Sequence, residues 1–197
     1  MSYYRKQLEK WLSNQVVIAD RVLDIGGSAN PVTRRVAKWE VKDYKILDNG
    51  SEKDYHDKWS KPNFFLDLNE AWGSKEHPGK YDMIFCLEVF EYIFDPVRAI
   101  NNISSCLKRD GVAYLSFPAI YPVHNPVEAD CLRYTRRGVE RLLKAGGFTR
   151  WDVTPRRATQ GQEALKSFYY QEGMRAVKGN SVIYDIGYMV RAKKRRY

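Results

Sequence analysis

The chain of 197 residues carries a net charge of +9, with 44% hydrophobic and 29% charged residues and a mean hydropathy of −0.57. This composition excludes a collagen-like or wholly disordered polymer and suits one domain with one buried core. No apolar run approaches the roughly 20 residues of a membrane helix, and the opening MSYYRKQLEKWLSNQ, broken by Arg5, Lys6, Glu9 and Lys10, lacks the apolar stretch of a secretory signal, so a cytoplasmic location with no membrane contact is expected.

Tyr4, Leu8, Trp11 and Leu12 share one helical face within 3–15. Arg21–Ile25 reads as a buried strand ending in Gly26-Gly27-Ser28, and a helix is expected over 32–40 behind Pro31. Residues 44–47 form a second strand ending at Asp48-Asn49-Gly50, 63–66 a short third, and 81–87 the fourth and most apolar. Val97, Ile100, Ile103 and Leu107 make 96–107 helical; 108–111 reads as a turn, and 112–117 as a strand stopped by Pro118. Thr135 caps a helix through Ala145 that Gly146-Gly147 closes. Residues 148–153 and 182–190 are the sixth and seventh strands, while 155–181 read ambiguously, with a helical patch near 163–170. Strands alternating with helices imply an α/β fold built on a parallel sheet. The expected organisation is an N-terminal helical segment over 1–19, one domain over 20–191 with an insert at 155–181, and a basic tail at 192–197.

The three cysteines, at 86, 106 and 131, show no CxxC spacing, and His56, His77 and His124 form no metal-ligand pattern. Reduced thiols and no metal are expected. Residues 133–157 hold eight Lys or Arg against two acids, and 191–197 add five with none. This basic third fits either a polyanionic partner such as RNA or a solubilising face with a tail.

A glycine turn at the end of a first strand lets a nucleotide approach the backbone, and Asp48, 22 residues after Gly26, stands where ribose hydroxyls are taken. The strand end carries Asp24 and the loop lacks a third glycine, which disfavours a pyrophosphate and suits a ligand bearing an ammonium group.

VLDIGGSANP, FFLDLN, YDMIFCLEVFEYIFDP and LKRDGVAYLSFP, in order across about 20–153, resemble the motifs of class I S-adenosylmethionine-dependent methyltransferases. HNPVEADCLRYTRRGVERLLKAGGF is similar to a small-acceptor, glycan-associated subgroup. The resemblance implies a single-domain, doubly wound, seven-stranded and mostly parallel sheet whose last strand is antiparallel, with S-adenosylmethionine as cofactor. It places Asp24 and Gly26 under the methionine part, Gly27 and Ser28 in the turn, Asp48 on the ribose and Asn49 near the adenine. Asp67 and Leu68 would hold the adenine edge, and Leu87 and Glu88 the methyl-donor end. Ser28 and Asn30 replace loop glycines of the family, Tyr92 stands where relatives carry histidine, and Arg109-Asp110 replaces Pro-Gly.

Methyl transfer asks for positioning and desolvation, and a hydroxyl acceptor also needs a base. His124, following the fifth strand at the ligand end, is the first candidate; Tyr92 is the second, and Glu91 is weaker. Tyr121, Asp130, Arg133 and Tyr134 would shape the acceptor pocket, although Arg133 pairing with Asp130 would serve equally to hold the loop. The bland alternatives are a surface-loop His124 and core or cap roles for Tyr92 and Glu91. Ser116 lies outside any G-x-S-x-G, and Pro118 is not followed by cysteine, so hydrolase and cytosine-carbon chemistry lack their residues. The expected activity is methyl transfer to a small-molecule or glycan-like acceptor at oxygen. An RNA-directed methyltransferase and a non-catalytic partner-binding fold are the alternatives.

Overall fold

A computed structural model describes residues 2–50, 59–72, 78–123, 125–157 and 185–194. Its helices are α1 (Tyr3–Leu12), α2 (Pro96–Cys106) and α3 (Arg136–Ala145). Its strands are β1 (Val16–Ile25), β2 (Lys38–Asp48), β3 (Phe64–Phe65), β4 (Tyr81–Cys86), β5 (Leu107–Pro118), β6 (Phe148–Arg157) and β7 (Asp185–Lys194). They form one sheet in the order β3-β2-β1-β4-β5-β7-β6. Pairs from β3 to β5 are parallel, and β7 runs antiparallel between β5 and β6. This is the expected mostly parallel sheet with an antiparallel last strand.

Both faces are covered. Ile100, Ile103, Val139 and Leu143 of α2 and α3 pack with Ile84, Cys86 and Leu115 on one face. Leu8 and Leu12 of α1 pack with Val17, Val22, Phe85 and Met189 on the other. Each helix begins on a side-chain cap: Ser2, Asp95 and Thr135 accept from the backbone N–H three residues on. Two free cysteines, Cys86 and Cys106, are core residues, and Cys131 is exposed.

The helix expected over 32–40 is absent. A single 3-10 turn at Val32–Arg34 is followed directly by β2. Lys38-Trp-Glu-Val-Lys alternates charged and apolar residues, a period of two that suits a strand. Exposure alternates with it, and Trp39 packs edge-on against Tyr44. β1 correspondingly starts at Val16 rather than Arg21, and nine parallel pairs join the two strands. Residues 108–111, expected as a turn, fall inside β5, where Asp110 adopts φ 60° and the β4–β5 register shifts. β7 reaches Lys194, into the stretch expected as a tail. Most of the 155–181 insert, the helical patch within it and residues 195–197 lie outside the described residues.

The chain leaves β1 toward β2 and β3, then returns to place β4 on the other side of β1. The carboxyl ends of β1 and β4 therefore flank the reversal point, where open α/β sheets bind ligands.

Candidate active site

A cleft of about 660 Å³ opens at this reversal point. Gly26 and Ser28 line it from the turn after β1, Asp48 and Asn49 from the end of β2, and Asp67 and Leu68 from the turn after β3. Glu88 and Tyr92 line it from the segment after β4, and Pro126 and Ala129 from the stretch after β5. Asp24, Gly27 and Leu87 are not on its wall. Asp24 and Leu87 are buried, Leu87 in the core on the α1 face of the sheet.

Gly26 adopts φ +75°, and a Cβ there would stand 2.4 Å from Val89 Cγ2, so the turn and the segment after β4 meet only through glycine. A Cβ on Gly27 would reach the Asp24 carboxyl at 2.4 Å. Asp24 Oδ2 accepts from the Val32 N–H at 2.9 Å and the Tyr44 hydroxyl at 2.7 Å. Burial raises its pKa to about 6, against the opposing pull of those two hydrogen bonds. Asp24 thus anchors the loop from below.

Asp48 Oδ1 accepts from the Asn49 N–H, and Asp67 Oδ1 from both the backbone and side-chain N–H groups of Asn69. Asn69 Oδ1 in turn accepts from the Phe94 and Asp95 N–H groups, tying the turn after β3 to the start of α2. Each aspartate keeps Oδ2 without a partner among the described residues. Ser28 is 2% exposed, and its hydroxyl likewise finds no partner there. Three open oxygens around one cleft fit a nucleoside that offers hydroxyls and an exocyclic amine, and S-adenosylmethionine is such a ligand. Asp48, Asp67 and Ser28 are the residues that would hold it.

Glu88 sits at φ 58°, a left-handed conformation costing a side-chain-bearing residue about 1–2 kcal/mol. Its N–H donates to Ser116 Oγ at 2.7 Å, and Oε1 accepts from the Ser116 hydroxyl at 2.8 Å and from Arg156 Nη2 at 2.7 Å. Burial works to raise this carboxyl, but Arg156 and Ser116 outweigh it and hold it below its ordinary value. Nearby Glu91, 3% exposed, is pushed up to about 7 by burial and then by the Glu88 charge.

Tyr92 donates its hydroxyl to the Asn125 carbonyl at 2.9 Å and is pushed up to about 12 by burial and neighbouring acids, which makes it a donor rather than a base. His124 lies outside the described residues. Tyr134 is a core residue, its hydroxyl donating to the Phe90 carbonyl. Arg133 forks onto Asp130, with Nη2 to Oδ2 at 2.8 Å, and its Nε donates to the Tyr121 carbonyl. The Tyr121 ring packs on Tyr4 at 4.5 Å. These four residues brace the stretch after β5, and none of them is on the cleft wall.

Tyr44, Arg156, Pro126 and Ala129 escape a reading of the sequence alone. Tyr44 and Arg156 find their partners across 20 and 68 residues, so no local spacing marks them.

A family model described as a methyltransferase domain matches residues 4–153. A ubiquinone biosynthesis O-methyltransferase of Marinobacter nauticus is 31% identical over 70 residues, which are 36% of this chain and 26% of that enzyme. Among solved structures, an S-adenosylmethionine-dependent methyltransferase from Mesorhizobium loti aligns with a TM-score of 0.60 at 14% identity, covering 97% of this chain and 98% of that one. The phosphoethanolamine N-methyltransferase 2 of Haemonchus contortus, solved with S-adenosyl-L-methionine, gives 0.57 at 13% identity and covers 96% and 53%. Likeness at these identities is likeness of fold.

Proposed function

As the chain belongs to the methyltransferase-domain family, we propose that it binds S-adenosylmethionine and directs methyl transfer to a small-molecule or glycan-like acceptor, at oxygen. The observation that carries this reading is the set of open oxygens on Asp48, Asp67 and Ser28 around one cleft at the β1–β4 reversal point. The bound cofactor supplies an electrophilic methyl group on a sulfonium centre. Asp48 takes the ribose hydroxyls, with Asn49 beside it. Asp67 accepts from the adenine amine, with Leu68 offering backbone contact. Asp24 supports the Gly26-Gly27 turn from beneath, and Glu88 stands at the donor end, with Leu87 packed in the core rather than on the wall.

The cleft volume of about 660 Å³ falls in the range of small-ligand pockets, roughly 300–1,000 Å³. Donor and acceptor share it, which favours a small acceptor bounded by Pro126 and Ala129. For a hydroxyl acceptor His124 is the proposed base. It precedes Asn125, whose carbonyl is tied to cleft-lining Tyr92. The name of the Marinobacter relative is consistent with oxygen as target.

Calorimetric titration with S-adenosylmethionine or S-adenosylhomocysteine tests the cofactor, and absence of binding to the folded protein would sink the proposal. Asp48→Ala should weaken binding by roughly 1–3 kcal/mol, about 5- to 150-fold. Methyl transfer to a panel of sugars, phenols and RNAs tests the acceptor. Methylation of RNA alone would favour the basic C-terminal third as the recognition surface. Cofactor binding with no transfer to any of them would favour the partner-binding reading, which the Ser28 and Asn30 substitutions motivate.

A further inference from the structure

Arg156 is wholly buried at the end of β6, its guanidinium 4.0 Å above the ring of Tyr4. A buried guanidinium is costly unless its counter-charge is close and its donors are used. Here the counter-charge is Glu88, whose Oε1 takes both the Arg156 Nη2 bond and the Ser116 hydroxyl. Arg156 Nε and Nη1 find no hydrogen-bond partner among the described residues, the guanidinium that carries them lying over the Tyr4 ring. Ser116 also receives the Glu88 N–H, which fixes the backbone at its left-handed position. Three strand ends, β4, β5 and β6, thus converge on one carboxylate. Arg156 and Ser116 are not on the cleft wall, whereas Glu88 is. Its Oε2 has no partner among the described residues. Adjoining Val89 closes on Gly26, so Glu88 stands beside the turn that receives the cofactor.

We infer that Arg156 and Ser116 are positioning residues that hold Glu88 as a fixed carboxylate, and that its free oxygen receives a cationic group of the methyl donor. The inference rests on reading the cleft as the S-adenosylmethionine site. Both charged groups of that molecule, ammonium and sulfonium, offer the same chemistry to a carboxylate. Without Arg156 the half-buried carboxyl would take a proton and lose its aim. The ionisable groups facing it are Arg156 from β6, Tyr4 and Arg5 from α1, and Glu91 from its own segment.

The test is titration of S-adenosylmethionine and S-adenosylhomocysteine into the wild type and into Glu88→Gln, Arg156→Met, Arg156→Lys and Ser116→Ala, with thermal unfolding of each. Glu88→Gln and Arg156→Met should each weaken donor binding about tenfold, and Arg156→Lys should restore it to within about threefold of the wild type. The Arg156→Met loss should shrink as pH rises and Glu88 deprotonates, and it should largely vanish in a Glu88→Gln background. Equal losses for both ligands assign the ammonium, and a loss confined to S-adenosylmethionine assigns the sulfonium; either supports the inference. If Arg156→Met does not fold, Ser116→Ala carries the test with an expected loss of about threefold. Wild-type binding together with unchanged affinity in Glu88→Gln overturns the inference alone. So does an Arg156→Met that melts earlier yet binds normally, which makes the pair structural. A folded wild type that binds neither ligand overturns the cofactor reading, and this inference with it.

Discussion

Gly26 shows how little room the site leaves a single residue. Its φ of +75° and the 2.4 Å that would separate a Cβ there from Val89 mean that any side chain strains the turn and displaces the segment carrying Glu88. Gly26→Ala should lower stability by at least about 1–2 kcal/mol, visible as an earlier thermal midpoint, and weaken cofactor binding in calorimetry. Asp24 carries a different signature. The folded protein retains the Asp24 proton up to about pH 6, while the unfolded chain releases it near 3.8. More protons are then bound in the folded state, so stability falls as pH rises through this window, by on the order of 3 kcal/mol at most. Glu91 acts in the same direction between 4.5 and about 7. Asp24→Asn keeps an oxygen to accept from Val32 and Tyr44. It should flatten the fall between pH 4 and 6 in thermal unfolding series; an unchanged slope would refute the assignment.

Among elements, α1 matters most for its size. Among the described residues it is the helix that covers the second face of the sheet, because the stretch after β1 became a strand instead. Leu8 is fully buried there. Leu8→Ala should cost roughly 2–5 kcal/mol in chemical denaturation, and because Tyr4 of the same helix lies under Arg156, cofactor binding should weaken with it. The long β1–β2 ladder explains the exposed Val16 and Ile18. They belong to the part of β1 that pairs only with β2, on the side away from Val17.

For the whole molecule, charge and cleft are separate matters. The exposed Arg137, Arg141 and Lys144 of α3 are absent from the cleft wall, which instead displays Asp48, Asp67 and Glu88. Replacing the three basic residues by glutamine should leave S-adenosylhomocysteine affinity within about twofold. Any RNA binding by the wild type should fall linearly with log salt. No helix of the described residues is long and apolar enough to cross a membrane.

The sequence by itself determined the α/β class, the order of strands along the chain, and Gly26 and Asp48 of the cleft; its resemblance to the methyltransferase motifs supplied Ser28, Asn49, Asp67, Leu68 and Glu88 of the same wall. Those signals are local: apolar runs, glycine turns and acids at strand ends are written within a few neighbouring positions. The helix expected behind Pro31 overlooks the period-two alternation of 38–42, which the sheet turned into a strand. Only the tertiary structure decided that Asp24 works beneath the loop, that Tyr134 belongs to the core, and that Arg133 braces its own segment. It alone joined Arg156 to Glu88. Such pairings depend on which strand ends the sheet brings together, and packing sets that at separations no spacing along the chain records.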